Sequence, residues 1–183
     1  RIRQRVFESR VRCHDARASR SMEREILDAK AEQDSVGGIV GCAVFGVPGG
    51  IGEPFFDTVE GESAKWLFAV PGVNSVEFGS GSRCASMRGS EHNDQFEVRG
   101  GRIVTITNNA GGVLGGIATG MPIVFRVGIK PTSSIQRAQR SVSLKDRTGR
   151  ELRIGGRHDP CIVPRAVAAV EACASLCILD LIL

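Results

Sequence analysis

The sequence predicts an α+β fold with largely antiparallel sheet, and three observations carry that prediction. Apolar runs of strand length, such as "PIVFRVGI", alternate with helical and hairpin-like stretches at no regular βαβ spacing. Twenty-three glycines, five per cent aromatics and no tyrosine indicate a backbone that turns tightly or approaches a ligand closely in several places. Apolar residues make up 42% and charged residues 24%, the balance of a globular chain with a real core. One domain, or part of a larger one, is expected over residues 1–183.

The elements follow in order. "CHDARASRSMEREILDAKAEQ" predicts a helix with Asp15 or Ser19 as N-cap and Met22, Ile26, Leu27 and Ala29 as its inner stripe. "DSVGGIVGCAVFGVP" reads as a glycine-punctuated strand stopped by Pro48. After the loop "GGIGEPFF", the stretch "DTVE" offers a carboxylate cap with a glutamate three residues on. The helix it opens, roughly 58–70, is expected to bury Val59, Trp66, Leu67 and Val70, and Pro71 with Gly72 breaks it. "VNSVEFG" is a short strand, "SGSRCASMRGSEHNDQF" a polar connection and "GGRIVTITNN" another strand. "AGGVLGGIATG" then leads to "PIVFRVGI". A hairpin pairs "SVSLK" with "ELRI" through "DRTG". The loop "GGRHDPCIVP" ends at a closing helix with Pro164 in its first turn.

Charge and cysteine usage narrow the function classes. Net charge is +4, and residues 1–24 hold eight arginines, but Glu8, Asp15 and Glu23 interleave with them. No aromatic alternates with these arginines, so a solvated helix face is expected rather than a nucleic-acid surface. None of the six cysteines forms a CxxC pair, which favours apolar packing in a reducing cytoplasm over zinc or a disulfide framework. No secretion signal opens the sequence. The final apolar segment carries Arg165, Glu171 and Asp180, the pattern of a buried helix and not of a membrane span. No spacing here makes a metal site.

Three loops can carry chemistry. "NNAGGVLGG" places the amides of Asn108 and Asn109 before four glycines, which suits either a tight turn or backbone brought close to a flat or anionic ligand. "KPTSS" gives an anion the point charge of Lys130 and the hydroxyls of Thr132, Ser133 and Ser134, with Pro131 fixing one φ angle. Its bland alternative is a surface turn. "GGRHDPC" puts Arg157, His158 and Asp159 together. An arginine there can clamp phosphate or carboxylate while the acid handles a proton, or an Arg–Asp pair can simply hold the loop. His14, His92 and His158 rank second.

These stretches together resemble the chorismate synthase family. The resemblance is carried by "DSVGG" at 34–38, "GVPGGIGEP" at 46–54, "RGSEHND" at 88–94 and "NNAGGVLGGIATG" at 108–120, with "KPTSSI" at 130–135 and "GRHDPCIVPRAV" at 156–167. It implies a β-α-β sandwich that is usually tetrameric, binds reduced FMN and resides in the cytoplasm. It also implies conversion of 5-enolpyruvylshikimate 3-phosphate into chorismate by 1,4-anti elimination, in the route to aromatic amino acids. NADP-linked reduction and a flavin reductase are its associated electron sources. By the same resemblance, Gly115, Lys130, Pro131, Thr132, Ser133, Ser134 and Arg157 hold FMN. Asn109 and Arg157 touch substrate, and Asp159 assists deprotonation near the flavin. Pro71 and Gly72 align with a further flavin turn whose residue types differ here.

Members are roughly twice this length, and their "GESHG", "RPGHAD" and "RASARE" motifs do not occur in this sequence. The expected reading is therefore the C-terminal half of such a lyase, keeping much of the flavin wall without either catalytic histidine. Its alternative is a fragment or degenerate homologue that binds flavin or partners without turnover. A sandwich core cut in half is expected to expose apolar sheet.

Overall fold

The structure, a computed structural model, describes residues 2–183. Among these residues five helices form: α1 (Ile2–Glu8), α2 (Ala16–Ala31), α3 (Val59–Phe68), α4 (Gly89–His92) and α5 (Val163–Ile182). Nine strands accompany them: β1 (Gly38–Val44), β2 (Val73–Phe78), β3 (Phe96–Arg99), β4 (Arg102–Thr105), β5 (Val113–Leu114), β6 (Ile117–Ala118), β7 (Ile123–Ile129), β8 (Gln139–Ser143) and β9 (Thr148–Leu152). A 3-10 turn covers Gly81–Ser86. The chain divides into two compact units, residues 1–38 with 130–165 and residues 39–129 with 166–183.

The second unit holds the core. Its sheet has the order β1-β7-β2, with β2 antiparallel to β7 and Val76 opposite Val127. β7 obeys the period of two that a strand imposes: Ile123, Phe125, Val127 and Ile129 are buried on one side. On the other side Arg126 reaches Glu77 at 3.3 Å across the β2–β7 pair. α5 buries Ala166, Val170, Ala174, Cys177 and Ile178, a stripe at helical spacing, as a core helix should. Full burial of a side chain such as Leu67 or Phe125 is worth roughly 1.5–3 kcal/mol. Two antiparallel ribbons, β3–β4 and β5–β6, complete this unit. β1 leaves Ile39 at 69% exposure, and Phe45 beyond its end at 74%.

The first unit contains α1, most of the α2-to-β1 segment and the β8–β9 ribbon, but of the buried apolar residues it holds only Ala29. Asp15 caps α2 as expected, accepting from the Ala18 N–H at 2.6 Å. The expected inner stripe of that helix needs correction. Met22 is 46% and Leu27 63% exposed and Ile26 is half-buried, so of that stripe Ala29 alone is buried.

Three further expectations change. Thr58, not Asp57, caps α3, since its hydroxyl accepts from the Gly61 N–H at 3.0 Å and places the helix start one residue later. Trp66 is only half-buried, whereas Val59, Leu67 and Val70 are buried. The polar connection after β2 contains α4, and its last residue, Phe96, already opens β3, whose four residues pair with β4. An Arg–Gly–Gly–Arg turn joins those strands and was too short a signal to separate from loop. The break at Pro71 and Gly72, where Gly72 has φ +91°, is as expected. The β8–β9 hairpin forms but starts and ends earlier than expected: Ser143 pairs with Thr148, so the turn is 144–147 and Thr148 and Gly149 of "DRTG" belong to β9.

Candidate functional site

The first unit brings three of the expected residues to one place. A cleft of about 210 Å³ is lined by Ser134, Arg157, His158 and Asp159, together with Lys30 and Asp34 from the end of α2 and the turn after it. Lys130, Pro131 and Ser133 are exposed and outside that lining. Thr132 differs from its neighbours. Its hydroxyl Oγ1 is buried with no hydrogen-bond partner, while its carbonyl accepts a 2.7 Å hydrogen bond from Ser35 Oγ. A buried hydroxyl without a partner is uncommon in a folded protein and leaves a donor to offer.

Arg157 is exposed and has no hydrogen-bond or ion-pair partner among the described residues. The Arg–Asp pair that forms is a different one: Arg165 Nη1 lies 2.8 Å from Asp159 Oδ2. Arg165 thus orients the carboxylate, and Arg157 keeps a fork of donors suited to an oxyanion. His158 Nε2 is 3.1 Å from the Gly155 carbonyl, a local loop contact. Chemically, the cleft combines a cationic fork, hydroxyl donors and one oriented carboxylate.

Gly115 and Asn109 belong to the second unit. Gly115 sits in the β5–β6 turn at φ +59°, and no atom lies within 4 Å of where a Cβ would be. Asn109 is committed locally. Its backbone N–H donates to Asp94 Oδ1 at 2.7 Å and its side-chain amide to the Glu91 carbonyl at 3.2 Å. Asn108 likewise donates to the Pro122 carbonyl.

Asp94, which the sequence reading passed over inside "SEHND", is the node of this turn. Its carboxylate accepts from the Thr107 hydroxyl at 2.6 Å and from the N–H groups of Asn109 and Ala110. Burial pushes its carboxyl up, but hydrogen bonds from Thr107, Ala110 and Asn109, with His92 nearby, outweigh it and hold the pKa below the ordinary 3.8. A lowered folded value stabilises above pH 3.8, and that support is lost as pH falls through the folded pKa. His92 itself bonds Ser80 Oγ at 3.0 Å.

All six cysteines are free. Burial, aided by Glu171, pushes Cys42 up to about 11, so it remains a neutral packing residue at pH 7. Among the described residues no group of three or more His, Cys, Asp or Glu is placed to hold a metal ion, and no helix is long and apolar enough to cross a membrane.

Comparison with known proteins places this arrangement. The chorismate synthase family matches residues 1–183. A chorismate synthase of Dehalococcoides mccartyi is 50% identical over 182 residues, covering 100% of this chain and 50% of the relative. One from Methanocella arvoryzae is 49% identical over 179 residues, covering 98% of this chain and 48% of the relative. A crystal structure of a chorismate synthase superposes with a TM-score of 0.79 at 24% identity, over 97% of this chain and 46% of that one, which establishes the fold. The chain spans about half the length of the curated relatives it matches. With an α+β fold, antiparallel sheets and a family match over its whole length, the chain belongs to the chorismate synthase family.

Proposed function

We propose that this chain is the C-terminal half of a chorismate synthase and supplies part of the site for reduced FMN and 5-enolpyruvylshikimate 3-phosphate. The observation that carries the reading is the buried, unpartnered Thr132 hydroxyl, in the loop that supplies Ser134 to the cleft with Arg157 and Asp159. An orphaned donor, a second hydroxyl and an arginine without a counter-ion fit the phosphate end of a phosphorylated cofactor or substrate.

In this reading Lys130, Pro131, Thr132, Ser133 and Ser134 hold FMN, with Gly115 and Arg157 beside it. When bound, reduced flavin would supply electron density to the elimination. Arg157 and Asn109 hold substrate. The Asp159 carboxylate, oriented through Oδ2 by Arg165, keeps Oδ1 for proton handling. The homotetramer, the cytoplasmic location, the NADP-linked chemistry and an associated flavin reductase belong to the same reading. His92 and His158 are engaged by Ser80 and Gly155. With the two histidine motifs missing, the chain alone is expected to bind flavin or partners without turnover.

Thr132→Val tests this with two readouts of opposite sign. An unpaired buried hydroxyl costs about 1–3 kcal/mol, so removing it leaves the chain's urea midpoint unchanged or higher. In the full-length protein the same change is expected to weaken reduced-FMN affinity about tenfold or more, as loss of a hydrogen bond to a charged group does. Unchanged FMN affinity in that variant would refute the assignment of this loop to the cofactor.

A further inference from the structure

We propose that Ser35, within a three-residue clasp of Asp34, Ser35 and Val36, is the positioning residue that sets the 130–134 loop for its anionic ligand. The inference rests on the flavin reading above and extends it to residues outside the resemblance's site.

Three consecutive residues make three ties to both ligand loops. Ser35 Oγ donates to the Thr132 carbonyl at 2.7 Å, across 97 residues of sequence. The Val36 N–H donates to the Pro160 carbonyl at 2.8 Å, directly beyond Asp159. Asp34 closes the far side of the first loop: its Oδ2 accepts from Arg137 Nη1 at 2.7 Å while Oδ1 accepts the Ser35 N–H at 2.8 Å. Thr132 and Arg137 bracket Ser134, so the loop is fixed on either side of its cleft-lining residue.

The need for such a clasp follows from the burial pattern. Among the described residues Ala29 is the only fully buried apolar residue of this unit, and Val36, Ile135 and Ile162 are half-buried, so apolar packing gives 130–134 little support. Directed bonds add the rest. The Ser35 bond holds the Thr132 backbone at the depth where its hydroxyl is buried and unpaired. A loop held in its bound shape loses less freedom on binding, and affinity rises accordingly. Ser35 acts through Thr132 and needs no contact with the ligand.

The test compares Ser35→Ala and Ser35→Thr in the full-length protein by hydrogen exchange at residues 132–135 without ligand, by reduced-FMN affinity and by the urea midpoint. Ser35→Ala is expected to speed exchange at these amides and weaken FMN binding roughly 3- to 10-fold, the weight of one ordinary net hydrogen bond. The urea midpoint falls by no more than the loss of that one bond, and Ser35→Thr, which keeps the hydroxyl, restores exchange and affinity. Unchanged exchange and affinity in Ser35→Ala, or a Ser35→Thr variant as impaired as the alanine, would overturn the clasp. Faster exchange in Ser35→Ala alongside a wild type that binds no FMN keeps the clasp and removes the flavin reading.

Discussion

Gly79→Ala is expected to unfold the second unit or destabilise it by about 3–5 kcal/mol, a large part of a domain's total stability. A Cβ at Gly79 would stand 2.0 Å from the Asn109 carbonyl oxygen and 2.5 Å from the Gly111 nitrogen. Both are backbone atoms of the "NNAGG" turn, and the turn cannot retreat. Asp94 grips it through the N–H groups of Asn109 and Ala110. On the opposing side the Gly79 N–H donates to the Val124 carbonyl and the Ser80 N–H to Asn109. The left-handed conformation of Gly79, φ +52°, is the smaller part of the cost, about 1–2 kcal/mol.

Gly100 separates the two effects. It has nearly the same angle, φ +58°, at the tip of the β3–β4 ribbon, with nothing within 4 Å of a built Cβ. Gly100→Ala therefore pays only the conformational part. Urea titration of the two variants decides the matter. Equal losses would mean that the close approach at Gly79 does not exist.

On the proposed lyase reading, Asp159→Asn in the full-length enzyme is expected to lower the rate of phosphate release 10²- to 10⁴-fold, on the order expected for one lost proton-transfer group. Asparagine keeps the shape and can still accept from Arg165, so the loop should hold its form. FMN affinity should therefore change little while kcat falls. That split is the signature of a group acting in the reaction and not in binding. A kcat within a few-fold of wild type would assign Asp159 to structure alone, as the partner of Arg165.

Much of this fold was legible because its signals are local. The apolar period of "PIVFRVGI", the Asp15 cap and the turn at Pro71 and Gly72 each act within a few residues, and each formed as expected. What was illegible depends on partners far along the chain. The stripe of α2 looked like a core face, but its burial depends on what covers Met22 and Leu27. Ser35 and Thr132 are 97 residues apart, and no spacing rule joins them. The cleft-lining set shows the same division. Arg157 and Asp159 were readable as a charged loop, yet the partner of Asp159 proved to be Arg165, in the first turn of the following helix, rather than Arg157.

The most direct measurement is hydrogen exchange of the full-length protein with and without reduced FMN. The account predicts slower exchange on binding in both 130–134 and 156–160, with the amides around Thr132 among the most protected. Protection confined to other segments, with both of these loops exchanging as in the free protein, would contradict it.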